Sequence, residues 1–289
     1  MVDGSSTVAP LSQAVSDAFV TEHTLVSAQV RTSGTGGGFK ALCGRRADVA
    51  GASRRINANE AAACEASGVS PVELQVATDG ITVVTRKGAL TGASCLTLAQ
   101  LRTIWQSSSK VARWRDVDSA FADSLMFLAG PGKDSGTYDF FNEAVLGKGT
   151  DGEVLPPRED YLSSEDDNVL VRAIEAEPAG LGYFGYSYFA KNSEQLTAIM
   201  LDGRGPLGCL APTPQTIIGG TYPLARPLFV YVSRDSLKRE VVRRFARFYL
   251  ARATDLGKTA SILAAPRFAL SRSSSALERT IAELDNASS

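Results

Sequence analysis

The sequence predicts an α/β fold, and three observations carry that expectation. Short β-rich runs alternate with stretches of helical spacing over the first third of the chain, the rhythm of strand–helix units. Three segments pass from a β run through serine, threonine and glycine into a helix: Gly4-Ser5-Ser6-Thr7-Val8, Gly34 to Gly38, and Asp134-Ser135-Gly136-Thr137. The length of 289 residues, 44% of them apolar, suffices for one large domain or two of ordinary size.

Element by element, Pro10 to Val20 places Leu11, Ala14, Val15, Ala18 and Phe19 at helical spacing, with Pro10 suited to a first helical position. Leu25 to Val30 reads as a strand, the glycine cluster follows, and Phe39-Lys40-Ala41-Leu42 opens a helix. Asp48 to Ser53 is a buried strand running into a turn, Ile81 to Thr85 a central strand, and Leu98 to Trp105 a short amphipathic helix. Leu125 to Ala129 feeds the loop Gly130 to Thr137, after which Tyr138-Asp139-Phe140-Phe141 starts a helix. A helix is expected over Val169 to Glu177, with Ser164 and Asp167 spaced like a capping box in which aspartate replaces glutamate. Leu228 to Val232 is a late β run, and Lys238 to Leu250 a basic amphipathic helix. Its cluster of Lys238, Arg239, Arg243, Arg244 and Arg247 reads as a solvated face, with an acidic partner as the alternative. Ser271 to Ser275 reads as a surface turn.

Composition excludes several classes of function. Thirty basic against thirty-one acidic residues leave a net charge of −1, no field that would gather nucleic acid or an anionic membrane, so any anion site must be local. No apolar run is long enough to span a bilayer. Met1-Val2-Asp3-Gly4 lacks the charged and apolar regions of a signal peptide, so a secreted form is expected to be the mature chain. The four cysteines Cys43, Cys64, Cys95 and Cys209 show no zinc-site spacing. Their even number permits two disulfides or four buried thiols.

The lone histidine, His23, sits between Glu22 and Thr24 and is expected to be a solvated surface residue, without the nucleophile that a catalytic triad requires. A dinucleotide fingerprint starting at Gly34 would need glycine where Phe39 stands, no lysine and hydroxyl follow the glycines as in a phosphate-binding nucleotide loop, and no GxSxG elbow is present. No catalytic residue, cofactor or metal is expected.

The three loops point instead to anion binding. A helix N-terminus offers unsatisfied N–H groups and partial positive charge, hydroxyls add donors, and glycine lets backbone approach the ligand. Each loop alone is an ordinary cap or turn, whereas three together describe an oxyanion cradle. A fourth loop, Ala52-Ser53-Arg54-Arg55, adds a hydroxyl and forked guanidinium donors.

These residues resemble the phosphate-specific solute-binding proteins of ABC-type phosphate uptake systems, in a cyanobacterial-type branch. The motifs are GSST, SGTGGGFKAL, DVAGASR, GPGKDSGTYDFF, DYLSSEDDNVLV, GLGYFGYSYFAKN and TYPLARPLFVYV, in the family's order over most of the chain. The resemblance implies a two-lobed type II periplasmic-binding fold hinged by two crossovers, near Asp79 to Thr85 and Tyr222 to Phe229. Lobe I would be 1–81 with 223–289 and lobe II 82–222, with one phosphate in the cleft between them. It also implies a periplasmic or extracytoplasmic monomer that delivers inorganic phosphate to an ABC-type permease. The implied ligands are Thr7 and Val8, Thr35, the turn at Ser53, and Ser135, Gly136 and Thr137.

Two departures stand out. Many members carry aspartate where this chain has Ser53-Arg54, and arginine where it has Pro131. Arg54 is therefore expected to supply the cation. Asp134 or Asp167 would be the carboxylate that accepts the proton of hydrogen phosphate, which would reject fully ionised sulfate. The implied crossovers put Cys43 and Cys64 in one lobe and Cys95 and Cys209 in the other, so those pairings are expected. The rival readings are a binding protein for sulfate or molybdate, a secreted phosphate-ester hydrolase, and a phosphate sensor or scavenger without a permease.

Overall fold

Strand β1 (Val2–Gly4) pairs in parallel with both β2 (Val30–Thr32) and β3 (Val49–Ala52), so the loops that follow all three leave from one edge. Helix α1 (Ala9–Glu22) joins β1 to β2, and α2 (Gly34–Cys43) joins β2 to β3. The structure, a computed structural model, describes residues 1–23, 26–89, 91–133, 135–150, 152–203, 208–260 and 262–287. The chain divides into two units, Met1–Asp79 with Arg226–Ser289, and Gly80–Ala225.

In the first unit α3 (Ala58–Ala66) follows β3 and leads to β4 (Pro71–Arg86), a strand that begins in this unit and ends in the second. The second unit continues with β5 (Cys95–Thr97), α4 (Leu98–Trp105), β6 (Phe127–Pro131), α5 (Gly136–Phe141), β7 (Leu162–Ser164), α6 (Asp167–Ala176) and β8 (Gly180–Gly185). Then come α7 (Tyr186–Lys191), β9 (Leu196–Ala198), β10 (Met200–Asp202), β11 (Cys209–Leu210) and α8 (Pro214–Ile218). Here β6 lies parallel to β7 and β8, while β8 and β9 run antiparallel to the end of β4. A small separate sheet has the order β11-β10-β5. Back in the first unit, β12 (Ala225–Ser233) runs antiparallel to β3 with Phe229 opposite Ala52. It is followed by α9 (Glu240–Thr259), β13 (Leu263–Ala264) and α10 (Arg267–Asn286).

The apolar spacing of α1 does what the sequence implies. Leu11, Val15 and Phe19 form one buried stripe, packed with Val2, Val230, Phe245 and Tyr249. In the second unit Val84, Ala129, Leu170, Ile174 and Phe184 form the corresponding core around α6. Disulfides join Cys43 to Cys64 and Cys95 to Cys209, each within one unit. No described helix is long and apolar enough to cross a membrane.

Several boundaries differ from the sequence reading. The glycine cluster lies inside α2 rather than before it. A Cβ on Gly38 would come within 2.7 Å of the Gly4 Cα, so the absence of side chains is what lets this helix press against β1. Of the expected strand Leu25 to Val30, only Val30 enters β2, and Leu25 lies outside the described residues. Helix α6 starts at Asp167 and is capped by Asp166, whose carboxylate accepts from the Asn168 N–H at 2.9 Å. Ser164 Oγ instead accepts from the Asp166 N–H at 3.0 Å, so the expected capping box does not form. Ser271 to Ser275 is helical, within α10. The reason is tertiary: Ser273 is buried and exchanges hydrogen bonds with the Gln75 N–H and carbonyl on β4. Four of the five residues of the basic cluster pair with carboxylates of the chain itself. Lys238 pairs with Asp235, Arg239 with Asp48, Arg243 with Asp285 and Arg247 with Glu278, while Arg244 contacts His23 Nδ1 at 3.3 Å.

Candidate anion-binding site

The carboxyl edge of β1, β2 and β3 gathers the hydroxyl-bearing loops of the first unit. Gly4 ends β1 at φ +141°, and a Cβ there would lie 2.2 Å from the Gly51 carbonyl oxygen, so only glycine fits between these strands. The next residues form a tight entry to α1. Ser5 donates its N–H to the Gly51 carbonyl at 2.9 Å, Thr7 its N–H to Ser5 Oγ at 3.2 Å, and Val8, fully buried, its N–H to the Ser5 carbonyl at 3.2 Å. From the first turn of α2, Thr35 Oγ1 accepts the Ser53 N–H at 3.1 Å and lies 3.2 Å from Ser53 Oγ. Thr35 and Ser53 thus meet although they follow different strands.

Arg54 is held on another course. Its two terminal nitrogens bond the two oxygens of Glu60 on α3, each at 2.8 Å, and one of them also donates to the Arg55 carbonyl at 3.1 Å. Burial alone raises the Glu60 carboxyl, but the bonds from Arg54 and from the Asn57 N–H outweigh it, so Glu60 titrates below the ordinary glutamate range. Arg55 is more exposed. It pairs with Glu73 at 3.3 Å and lies over the Phe229 ring.

The sequence reading passed over Arg226. This arginine, only 5% exposed, pairs through Nε and Nη2 with Asp79 Oδ2 at 3.2 and 3.0 Å. Nη2 also donates to Thr7 Oγ1 at 2.8 Å. The signal lay in the TYPLARPLFVYV stretch: a charged residue next to an apolar β run, which has to find a partner if it is buried.

In the second unit the loop after β6 leads to α5. Ser135 caps this short helix, its Oγ accepting the Thr137 N–H at 3.1 Å, and Gly136 is the first helical residue. Helix α5 is fixed from behind by Phe141, which is fully buried and stacks on Tyr183 of β8 at 3.7 Å between ring centres, with Trp105 edge-on to both. Tyr161 donates to the Pro131 carbonyl at 3.0 Å, and burial pushes its phenol up to about 12. A Cβ on Gly132 would sit 1.9 Å from Glu165 Oε1, so glycine is needed here to admit a carboxylate against the loop. Asp167, one of the two expected acceptors, is the first residue of α6, and the other, Asp134, lies outside the described residues.

One chemical feature recurs in both units. Thr7 and Thr35 accept a hydrogen bond at the hydroxyl oxygen, from Arg226 and from the Ser53 N–H, and Ser135 does so from the Thr137 N–H. A hydroxyl whose oxygen already accepts is set to donate its own proton elsewhere, which suits a ligand rich in acceptors. Among the described residues no group of three His, Cys, Asp or Glu side chains could hold a metal ion.

Residues 1–253 match the PBP superfamily domain. The chain belongs to the PBP superfamily. Its relatives in the superfamily include the SphX protein of Synechococcus elongatus, 40% identical over 91% of this chain and 77% of its own length. A phosphate-binding protein PstS of Staphylococcus haemolyticus is 34% identical over 89% of this chain and 77% of its own. Among solved structures, a possible phosphate binding protein from Planctomyces limnophilus superposes with a TM-score of 0.84 at 41% identity, covering 97% of both chains. An ABC-type phosphate transport receptor from Vibrio cholerae, at 20% identity and a TM-score of 0.75 over 91% of this chain and 98% of its own, shares the fold. The α/β architecture is thus the type II periplasmic-binding fold, and the cyanobacterial-type branch fits this PBP chain.

Proposed function

We propose that this chain binds inorganic phosphate outside the cytoplasmic membrane, in the periplasm of a cell that has one, and delivers it to an ABC-type permease as a monomer. Its proposed ligands are Thr7, Val8, Thr35 and Ser53 from the first unit and Ser135, Gly136 and Thr137 from the second. The observation that carries the reading is kinship along nearly the whole chain with proteins named for phosphate binding. The hydroxyls that such a ligand would need stand at the carboxyl edges of parallel strands, where ligands of open α/β sheets bind. Arg54 is tied to Glu60 and joins the ligand set only by exchanging that partner.

Calorimetric titration tests the proposal. Phosphate is expected to bind with one site per chain and to raise the melting temperature, with sulfate doing much less. Equal shifts from both anions would point to a general oxyanion site, as the Ser53 hydroxyl in place of a carboxylate would allow. Turnover of a phosphate ester would make the chain a hydrolase instead.

A further inference from the structure

We propose that Arg226, fixed by Asp79, is the positioning cation of the first unit's phosphate site, and that it acts through the Thr7 hydroxyl in place of Arg54. The inference rests on the phosphate reading above. Residues 226, 228, 230 and 232 share one face of β12, and at the last three positions that face carries Leu228, Val230 and Val232 into the apolar core. An apolar residue at 226 would continue the pattern. An arginine there is desolvated, and burying an ion pair costs free energy that packing alone does not offset. Its placement is therefore better explained by what it touches.

Position 226 lies three residues before Phe229, which faces Ala52, the last residue of β3. Arg226 thus stands past the carboxyl end of β3, at the edge from which Thr7 and Ser53 also leave. Two of its nitrogens are anchored on one oxygen of Asp79, and one of those anchored nitrogens reaches Thr7 Oγ1. By occupying a lone pair of that oxygen, the guanidinium turns the Thr7 O–H toward an acceptor and places a positive charge one hydroxyl away from it. Arg54 is more exposed, at 37% of its side chain, and both its terminal nitrogens are already committed to Glu60. Asp79 and Arg226 are also the residues at which the chain leaves and re-enters the first unit.

Calorimetric titration of inorganic phosphate into the full chain and its variants tests this. Arg226→Gln is expected to weaken binding by about tenfold or more, as for loss of a charge-assisted contact. Arg226→Lys should recover part of the loss, and Arg54→Gln should lose less than Arg226→Gln. The loss in Arg226→Gln should grow from below to above neutral pH, as phosphate passes from singly to doubly charged, a dependence that a purely structural role would not produce. Because Arg226→Gln strands the Asp79 carboxylate, the double variant Asp79→Asn with Arg226→Gln removes both charges. It should recover the melting temperature measured without phosphate and keep the weakened, pH-dependent binding. Wild-type affinity in the double variant, or a larger loss in Arg54→Gln than in Arg226→Gln, overturns the inference alone. A wild-type chain that binds no phosphate overturns the phosphate reading and this inference with it.

Discussion

The two units present hydroxyls in the same way and differ in the charge they set beside them. In the first, the edge of β1, β2 and β3 carries Thr7, Thr35 and Ser53, with the Arg226–Asp79 pair buried against Thr7. In the second, the loop after β6 carries Ser135, Gly136 and Thr137, Pro131 ends β6, and the carboxylates of Glu165 and Asp166 follow the end of β7. The hydroxyls need only a strand end and a tight turn, which each unit builds from its own short segments. The charge needs a partner that holds it when it is desolvated, and in the first unit Arg226 finds one in Asp79, 147 residues away in sequence.

The comparison can be broken first at the strands themselves. Gly4→Ala should be the most damaging change to the first edge, because its Cβ would meet backbone rather than a movable side chain. A loss of about 3 kcal/mol or more is expected in urea unfolding. Gly132→Ala in the second edge should cost less, since Glu165 can swing away. Equal losses would mean that the two edges are equally rigid.

Removing the disulfides ranks the units in the opposite order. The Cys95–Cys209 bridge spans 114 residues and Cys43–Cys64 spans 21, so loop-closure entropy assigns them about 5 and about 3 kcal/mol. Paired serine variants followed by denaturant unfolding measure the difference. If Cys43→Ser with Cys64→Ser costs more, enthalpic terms in the native state exceed the chain-entropy effect.

Single hydroxyl deletions sharpen the functional half of the comparison. Thr35→Val and Ser135→Ala should each lower phosphate affinity by about tenfold, and Ser135→Ala should in addition destabilise the chain slightly through loss of the α5 cap. A variant from one unit that binds as the parent does would remove that unit's hydroxyl from the ligand set.

The smallest effect concerns the Arg54–Glu60 pair. The Glu60 carboxyl lies below its ordinary value, so the stability it contributes is present above the unfolded glutamate range and is lost as the pH falls through the lower, folded value. Carboxyl NMR titration should show a depressed Glu60 midpoint that returns toward the ordinary range in Arg54→Gln. An unchanged midpoint would mean that the Asn57 N–H and the Lys40 charge hold it down without Arg54.

The sequence by itself determined the α/β rhythm, the helical stripe of Leu11, Val15 and Phe19, and the hydroxyl-bearing turns after β1 and β6, because each is a local pattern of spacing or of turn chemistry. The extent of α2 was not legible, since glycines that look like a loop become helical when a strand lies close against them. The Ser271 to Ser275 stretch has the composition of a turn yet is helical for a similar reason, its central serine being satisfied from β4. The contact of Arg226 with Asp79 and Thr7 was furthest out of reach. Arg54 stands in the expected turn, whereas Arg226 lies 219 residues from the threonine it bonds and 147 from the aspartate that holds it. Only strand register brings those three together, and a one-residue slip of β12 would turn the arginine to the opposite face.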